Sequence, residues 1–215
     1  QYASMASYPG AYKDYICVSS LAGDFTPSTY SNYGPGVNIA APGGDTDYHC
    51  SEKGGILSTL TPVASNGLMY GYMEGTSMAC PHVSGLVALG ISYATKLRKH
   101  YDSREFMNLV LNSTRELDSR LTGTKLYHFN WGNVGDICPT LVDLGESYRY
   151  NMGTGSADAL LLLNNIENSG SEIVLPNVYV ATGAERKVNA ALCFESGPFT
   201  AEISGSSVAK ATVSG

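Results

Sequence analysis

Gly75-Thr76-Ser77-Met78-Ala79-Cys80-Pro81-His82-Val83-Ser84-Gly85, continued by Leu86-Val87-Ala88-Leu89-Gly90-Ile91, sets one serine between a glycine turn and an apolar run. The spacing predicts a helix over 77–98, with Pro81 in its first turn, where a missing N–H costs little. Val83, Leu86, Val87, Gly90 and Ile91 recur at helical spacing and form its expected buried stripe. A serine hydroxyl is a weak nucleophile until a base takes its proton and donors hold the oxyanion. A helix start supplies part of the donor set, because its first N–H groups lack intrahelical partners and the dipole favours negative charge there. Gly75 lets the backbone come close to a ligand, having no Cβ. On residue type alone the better reading of Ser77 is a helix N-cap, a place serine prefers.

The whole run resembles the nucleophile motif of the subtilases, the subtilisin-like serine peptidases, whose usual form is Gly-Thr-Ser-Met-Ala-x-Pro-His-Val. The match is gapless, and in order along the chain it has company. Tyr8 to Ser20 resembles the strand that follows the family's oxyanion-hole asparagine. Tyr30-Ser31-Asn32-Tyr33-Gly34-Pro35-Gly36-Val37-Asn38-Ile39-Ala40-Ala41-Pro42-Gly43 is similar to the family's Phe-Ser-x-x-Gly-Pro-x-Val-x-x-x-Ala-Pro-Gly stretch. Ile56 to Leu60 resembles the short strand after it, and Gly153 to Leu160 the Gly-x-Gly-x-x-x-Ala helix that closes the catalytic domain. The resemblance covers about residues 7 to 168. It implies an α/β fold, a subtilisin-like mainly parallel sheet flanked by helices, and a serine endopeptidase activity. It makes Ser77 the nucleophile, with Glu74, Gly75 and Thr76 bordering the substrate cleft. Ser7 falls at the base of the primary specificity pocket, which implies a pocket that no bulky side chain closes.

In the family the triad runs Asp, His, Ser along the chain, and the first two lie in Asp-Ser/Thr-Gly and His-Gly-Thr motifs. Neither motif is present, and none of His49, His82, His100 and His128 is followed by Gly-Thr. The resemblance therefore implies the C-terminal portion of a catalytic domain, with the triad His and Asp and the oxyanion Asn in an N-terminal portion of the same domain. That portion is the expected partner, beside a polypeptide substrate. Without it the chain has no general base and is expected to be inactive, unstable or self-associating. A catalytically dead subtilase serving as a binding or scaffold module is the alternative. Export to the periplasm, cell surface or medium is implied by the resemblance alone. So is calcium, common in relatives, for which no ligands are assigned here; the chemistry otherwise needs no cofactor.

Composition agrees with a globular α/β chain: 215 residues, 43% hydrophobic, 15% charged and 24 glycines. The net charge of −6 and the lack of basic clusters beyond Lys96-Leu97-Arg98-Lys99 speak against nucleic acid. That short cluster ends the long helix, where cations suit the dipole. No run approaches the roughly 18 apolar residues that a membrane span requires. Five cysteines leave at least one unpaired within the chain. Cys17 and Cys80 read as buried small hydrophobes, whereas Cys50 and Cys138 sit in loop-like sequence and are candidates to pair.

Strands are expected at 14–20 and 37–41, and a loop at 43–55. Asp45, Asp47, His49 and Cys50 stand in that loop without zinc or EF-hand spacing, so a solvated loop is the better reading. Asp102 is expected to cap a helix at 103–113 that turns Phe106, Leu109 and Val110 inward. Loops with short elements are expected at 118–152, with Trp131 packed against the domain, and a helix at 156–167. Residues 1–168 thus form the catalytic portion. From 171 to 215 the pattern changes to alternation, as in Val188, Ala190, Leu192 and Phe194, and reads as the start of an all-β, sandwich-like segment too short to close.

Overall fold

Residues 8–12, 14–49, 51–130 and 137–168 are described in a computed structural model of the chain. The segment 171–215, Ser7, Cys50 and Trp131 lie outside the described residues, as does the Cys138 side chain.

One four-stranded sheet forms the centre, with two hairpins apart from it. Strands β1 (Val18–Leu21) and β2 (Ile39–Pro42) pair in parallel, Val18 opposite Ile39 through Leu21 opposite Pro42. Further along the chain, β3 (Ile56–Thr59) and β4 (Tyr70–Met73) make a separate antiparallel hairpin that leads into the serine motif. A short helix α1 (Thr46–His49) lies between β2 and β3, and the long helix α2 (Thr76–Lys96) follows β4. Helix α3 (Ser103–Asn112) and strand β5 (Thr114–Arg115) come next. The chain then runs through the hairpin β6 (Thr124–Asn130) and β7 (Ile137–Asp143), helix α4 (Leu144–Tyr148), strand β8 (Ser156–Ala157) and helix α5 (Ala159–Asn168). The main sheet has the order β1-β2-β8-β5, parallel except for β5. The α/β class with a parallel core is as the sequence implies.

The helices form where local signals agree. Asp102 caps α3 through a complete capping box: its Oδ1 accepts from the N–H of Arg104 and of Glu105 at 2.8 Å each, and Glu105 Oε2 accepts from Asp102 N–H at 2.9 Å. Phe106, Leu109 and Val110 are buried as expected. They meet Leu86 and Ala94 of α2 and Leu162 and Ile166 of α5 in one core cluster. Gly90 is the contact point. A Cβ there would come within 2.8 Å of Phe106 Cζ and of Leu162 Cδ2, so glycine sets how closely the three helices approach. On the sheet side, Ala79, Val83 and Leu111 pack on Ile39 and Ala41. A third cluster joins Leu21 and Ala40 to Leu117, Leu121, Tyr127, Leu144, Tyr148 and Met152.

Several expectations need correction, among them the loop at 43–55, which holds α1. Ile91, assigned to the buried stripe of α2, is 51% exposed; the stripe is Ala79, Val83, Leu86, Gly90 and Ala94, with Val87 half-buried. The period was right, but its phase was pulled by the larger side chain. The 118–152 stretch holds a seven-residue hairpin as well as short elements. Asp45 is fully buried rather than solvated: its carboxylate accepts from Thr29 N–H at 2.7 Å and from Thr29 Oγ1. Cys80 is exposed, while Cys17 is half-buried; both are free thiols.

Helix α5 starts later than the sequence suggests because Ser156 and Ala157 are drawn into the sheet. Asp158 then takes the cap, its Oδ1 accepting from Leu161 N–H at 3.0 Å. Burial pushes this carboxyl upward, but the helix N–H groups and the Arg115 guanidinium outweigh it and hold it below the usual range. A carboxylate lowered on folding adds stability above its unfolded range and loses it as pH falls through the folded value. Asp158→Ala is expected to cost about 1 kcal/mol at neutral pH. In urea unfolding, that deficit should shrink on acidification through the carboxylate range. Leu162→Ala should cost about 2–5 kcal/mol, because Leu162 is fully buried. Leu160→Ala, at a position 64% exposed, should stay within about 0.5 kcal/mol in the same assay.

Candidate functional site

The serine motif begins where β4 ends. Gly75 is the N-cap of α2, with φ 145° and ψ 161° and no side-chain cap bond. This backbone region is essentially restricted to glycine. Ser77 therefore lies inside the first turn and does not cap the helix. Its side chain is exposed, and among the described residues its hydroxyl has no hydrogen-bond partner. The N–H groups of Met78 and Ala79 reach back to the Gly75 carbonyl at 2.9 and 3.2 Å. Those of Thr76 and Ser77 come before any intrahelical acceptor and sit at the positive end of a 21-residue helix. An exposed hydroxyl beside such N–H groups is the geometry that attack on a carbonyl and retention of the oxyanion require.

Two ties fix this turn. Gly75 N–H donates to the Gly43 carbonyl at 3.0 Å, joining the helix start to the end of β2. Glu74, the neighbour on the other side, accepts from Thr46 N–H at the start of α1 through Oε2. Thr76 is exposed, and Glu74 and Gly75 are half-buried. The structure thus brings Glu74, Gly75, Thr76 and Ser77 onto one turn open to solvent.

None of His82, His100 and His128 serves the serine, and the His49 side chain lies outside the described residues. His82 is on the outer side of α2, and its ring turns back to the helix, with Nδ1 2.8 Å from the Met78 carbonyl. His100 follows the far end of α2, and His128 lies in β6. Cys17 offers no alternative nucleophile, since burial pushes its thiol up and away from the reactive thiolate. Among the described residues no group of three or more His, Cys, Asp or Glu side chains could hold a metal ion. Asp45, the buried carboxylate nearest in sequence, is engaged by Thr29. No described helix is long and apolar enough to cross a membrane.

One residue of the site escaped assignment in the sequence. The Tyr30 hydroxyl accepts from Gly75 N–H at 2.8 Å. The signal was there in the 30–43 stretch, where the resembling pattern has Phe and this chain has Tyr.

Comparison with known proteins places the chain among proteases of one family. The family model described as "Subtilase family" matches residues 1–153. The extracellular basic protease of Dichelobacter nodosus is 33% identical over 120 residues, covering 54% of this chain and 18% of the relative. The thermophilic serine proteinase of a Bacillus species is 32% identical over 126 residues, covering 59% and 25%. The major intracellular serine protease of Bacillus subtilis is 38% identical over 106 residues, covering 48% and 28%. The chain thus spans about a quarter or less of the length of the first two. Among solved structures, a protease from Pseudoalteromonas arctica superposes with a TM-score of 0.50 at 24% identity, over 74% of this chain and 38% of that one. A lanthipeptide protease gives 0.50 at 24%, over 73% and 43%. These two establish likeness of fold.

Gly75→Ala tests the turn. The space beside Gly75 is open, the nearest atom to an added Cβ being Ser77 N at 3.6 Å, so any cost comes from conformation rather than crowding. It should lower stability by about 1–3 kcal/mol in thermal unfolding, and amide chemical shifts should move at residues 75–79.

Proposed function

This chain belongs to the subtilase family, and we propose that it carries the nucleophile of a serine endopeptidase, Ser77. The observation that supports this most is the exposed, unpartnered Ser77 hydroxyl on the first turn of a long buried-face helix, within the family's own motif. In the proposed reaction Ser77 Oγ gives its proton to a histidine and attacks the peptide carbonyl. The oxygen becomes an oxyanion held by the Ser77 N–H and an asparagine. Collapse expels the amine, which takes the proton from the imidazolium, and water then releases the acyl group. No cofactor enters these steps. Glu74, Gly75 and Thr76 border the cleft, and Ser7 contributes to the base of the primary specificity pocket.

The histidine, its aspartate and the asparagine come, in this proposal, from an N-terminal portion of the same domain. One feature of the described residues supports such a partner. Helix α2 carries Leu89 and Ile91 exposed at 46% and 51% on the face turned away from the sheet. Exposed apolar side chains on a helix that is apolar nearly all round favour burial on both sides. A polypeptide is the substrate. Export is the proposed location, supported by the relative from Dichelobacter nodosus being named extracellular. Residues 171–215 are proposed to begin an appended β segment.

The test is labelling with a fluorophosphonate serine probe, read by intact mass and peptide mapping. The full-length protein should be labelled at Ser77, and Ser77→Ala should abolish the adduct. The 215-residue chain alone should react at least about 1,000-fold more slowly, for want of a base. A folded full-length protein that takes no label at Ser77 would instead support the scaffold reading.

A further inference from the structure

A cluster of hydroxyls lies beneath the serine turn, and no step of the proposed reaction uses it. Ser20 and Ser28 are fully buried, and Tyr30 is half-buried. Ser20 Oγ lies 2.9 Å from Ser28 Oγ and 2.9 Å from Tyr30 Oη. Ser28 Oγ donates to the Gly44 carbonyl at 2.8 Å. Tyr30 Oη reaches the carbonyls of Gly43 at 2.8 Å and Gly44 at 2.6 Å, and it accepts from Gly75 N–H.

The protons can be assigned without conflict. Ser28 gives its proton to Gly44, and Ser20 gives its own to Ser28 or Tyr30. Tyr30 has a single proton, which the two glycine carbonyls claim, so its oxygen faces Gly75 as an acceptor. The phenol must stay protonated to hold both sides of this arrangement. Burial, with the Glu74 carboxylate nearby, pushes its titration upward against the hydrogen bonds from its neighbours, which pull it down. The neighbouring backbone leaves no slack: a Cβ at Gly43 would fall within 2.6 Å of the Gly75 carbonyl oxygen. Phenylalanine would fill the same space as Tyr30 but would leave the Gly75 N–H with the Gly43 carbonyl as its sole acceptor.

We propose that Tyr30 is a positioning residue for the nucleophile: its hydroxyl pins Gly75 to the β2 end and so fixes the height of Ser77 and its N–H at the cleft. The role rests on the peptidase reading of Ser77. Tyr30 touches neither the reacting hydroxyl nor a substrate in this account, and acts through the two residues that separate it from Ser77.

The experiment compares the full-length wild type with Tyr30→Phe and Ser31→Ala. The second variant is a control on the same segment. Ser31 Oγ is buried and accepts from Ser20 N–H at 2.9 Å, and it has no bond to Tyr30 Oη or Gly75 among the described residues. Tyr30→Phe should label Ser77 with the fluorophosphonate about five-fold more slowly, the worth of one neutral hydrogen bond. In peptide cleavage, kcat per titrated active site should fall by the same factor with KM nearly unchanged. Amide hydrogen exchange, which needs no activity, should quicken about five-fold at residues 75–79. Ser31→Ala should lower the melting temperature while leaving labelling and exchange at 75–79 as in the wild type. Unchanged exchange at 75–79 in Tyr30→Phe would overturn the proposal, and so would an equal kcat loss in Ser31→Ala. Faster exchange in Tyr30→Phe with no labelling of a folded wild type would support the pinning of the turn and overturn the peptidase reading, so the two failures stay distinct.

Discussion

The bond from Gly75 N–H to the Gly43 carbonyl, 3.0 Å long, is the constraint on which the rest of this structure depends. It joins the last residues of β2 to the first of α2, two elements separated by a hairpin and a short helix. For the bond to form, the helix start must come up against the strand end with nothing between them. The residues comply. Gly43 has no side chain to intrude, and Gly75 accepts a backbone conformation that other residues avoid. Ala79 and Val83 then bring the helix down onto Ile39 and Ala41. The small side chains permit close packing, and that packing resists any tilt of the first turn. A serine carried by this turn inherits its rigidity from the sheet.

Much of this was legible because it depends on local chemistry. The glycine turn and the apolar run fix where α2 starts, and the Asp102 box fixes α3, whereas Pro81, expected in the first turn of α2, is its sixth residue and so lies inside the second turn. What escaped depends on contacts far apart in sequence. Ile91 has the right spacing for the core, yet Gly90 takes the inward place because Phe106 and Leu162 need that room. Asp45 looks like a loop carboxylate until Thr29, brought beside it by the β1–β2 pairing, supplies both donors. Cys80 sits in an apolar run but on the outer side of the helix. The β6–β7 hairpin was hidden by polar and aromatic residues whose partners lie on the opposite strand, and its Tyr127 is buried by bonding the Pro27 carbonyl at 2.7 Å. At the site, the motif pointed to Ser77 and its neighbours but carried no sign of Tyr30, whose hydroxyl matters only once residues 30, 43 and 75 meet.

The same reasoning explains why α2 is apolar on more than one side. Its inner stripe answers to the sheet and to α3 and α5. Leu89 and Ile91, about half exposed, belong to none of the core clusters of the described residues. A helix that had only to cover one sheet would carry charge on its outer face, as α3 does with Arg104 and Glu105. From Thr76 to Thr95, α2 carries no Asp, Glu, Lys or Arg, and Lys96 ends it. A composition of this kind is selected where both faces are covered, which is the demand a central helix makes when a second half of the sheet lies across it.

In the proposed reading, a nucleophile on such a helix divides the work between two parts of one domain. The part described here contributes position: the turn, the N–H groups and the depth at which the hydroxyl stands. The proposed partner contributes proton transfer. The division has a physical consequence, because positional terms are built into hydrogen bonds and packing that exist before any partner or substrate arrives. The Tyr30 hydroxyl, the Gly43 carbonyl and the Ala79 contact need no base to hold Gly75 where it is. Preorganisation of this sort is what makes an oxyanion site effective, since donors already fixed have no reorganisation left to undergo when charge appears. In that proposal the acid–base chemistry can be lost or restored without disturbing the turn, and the half-buried Tyr30 ties the end of the sheet to the residue before the nucleophile's turn.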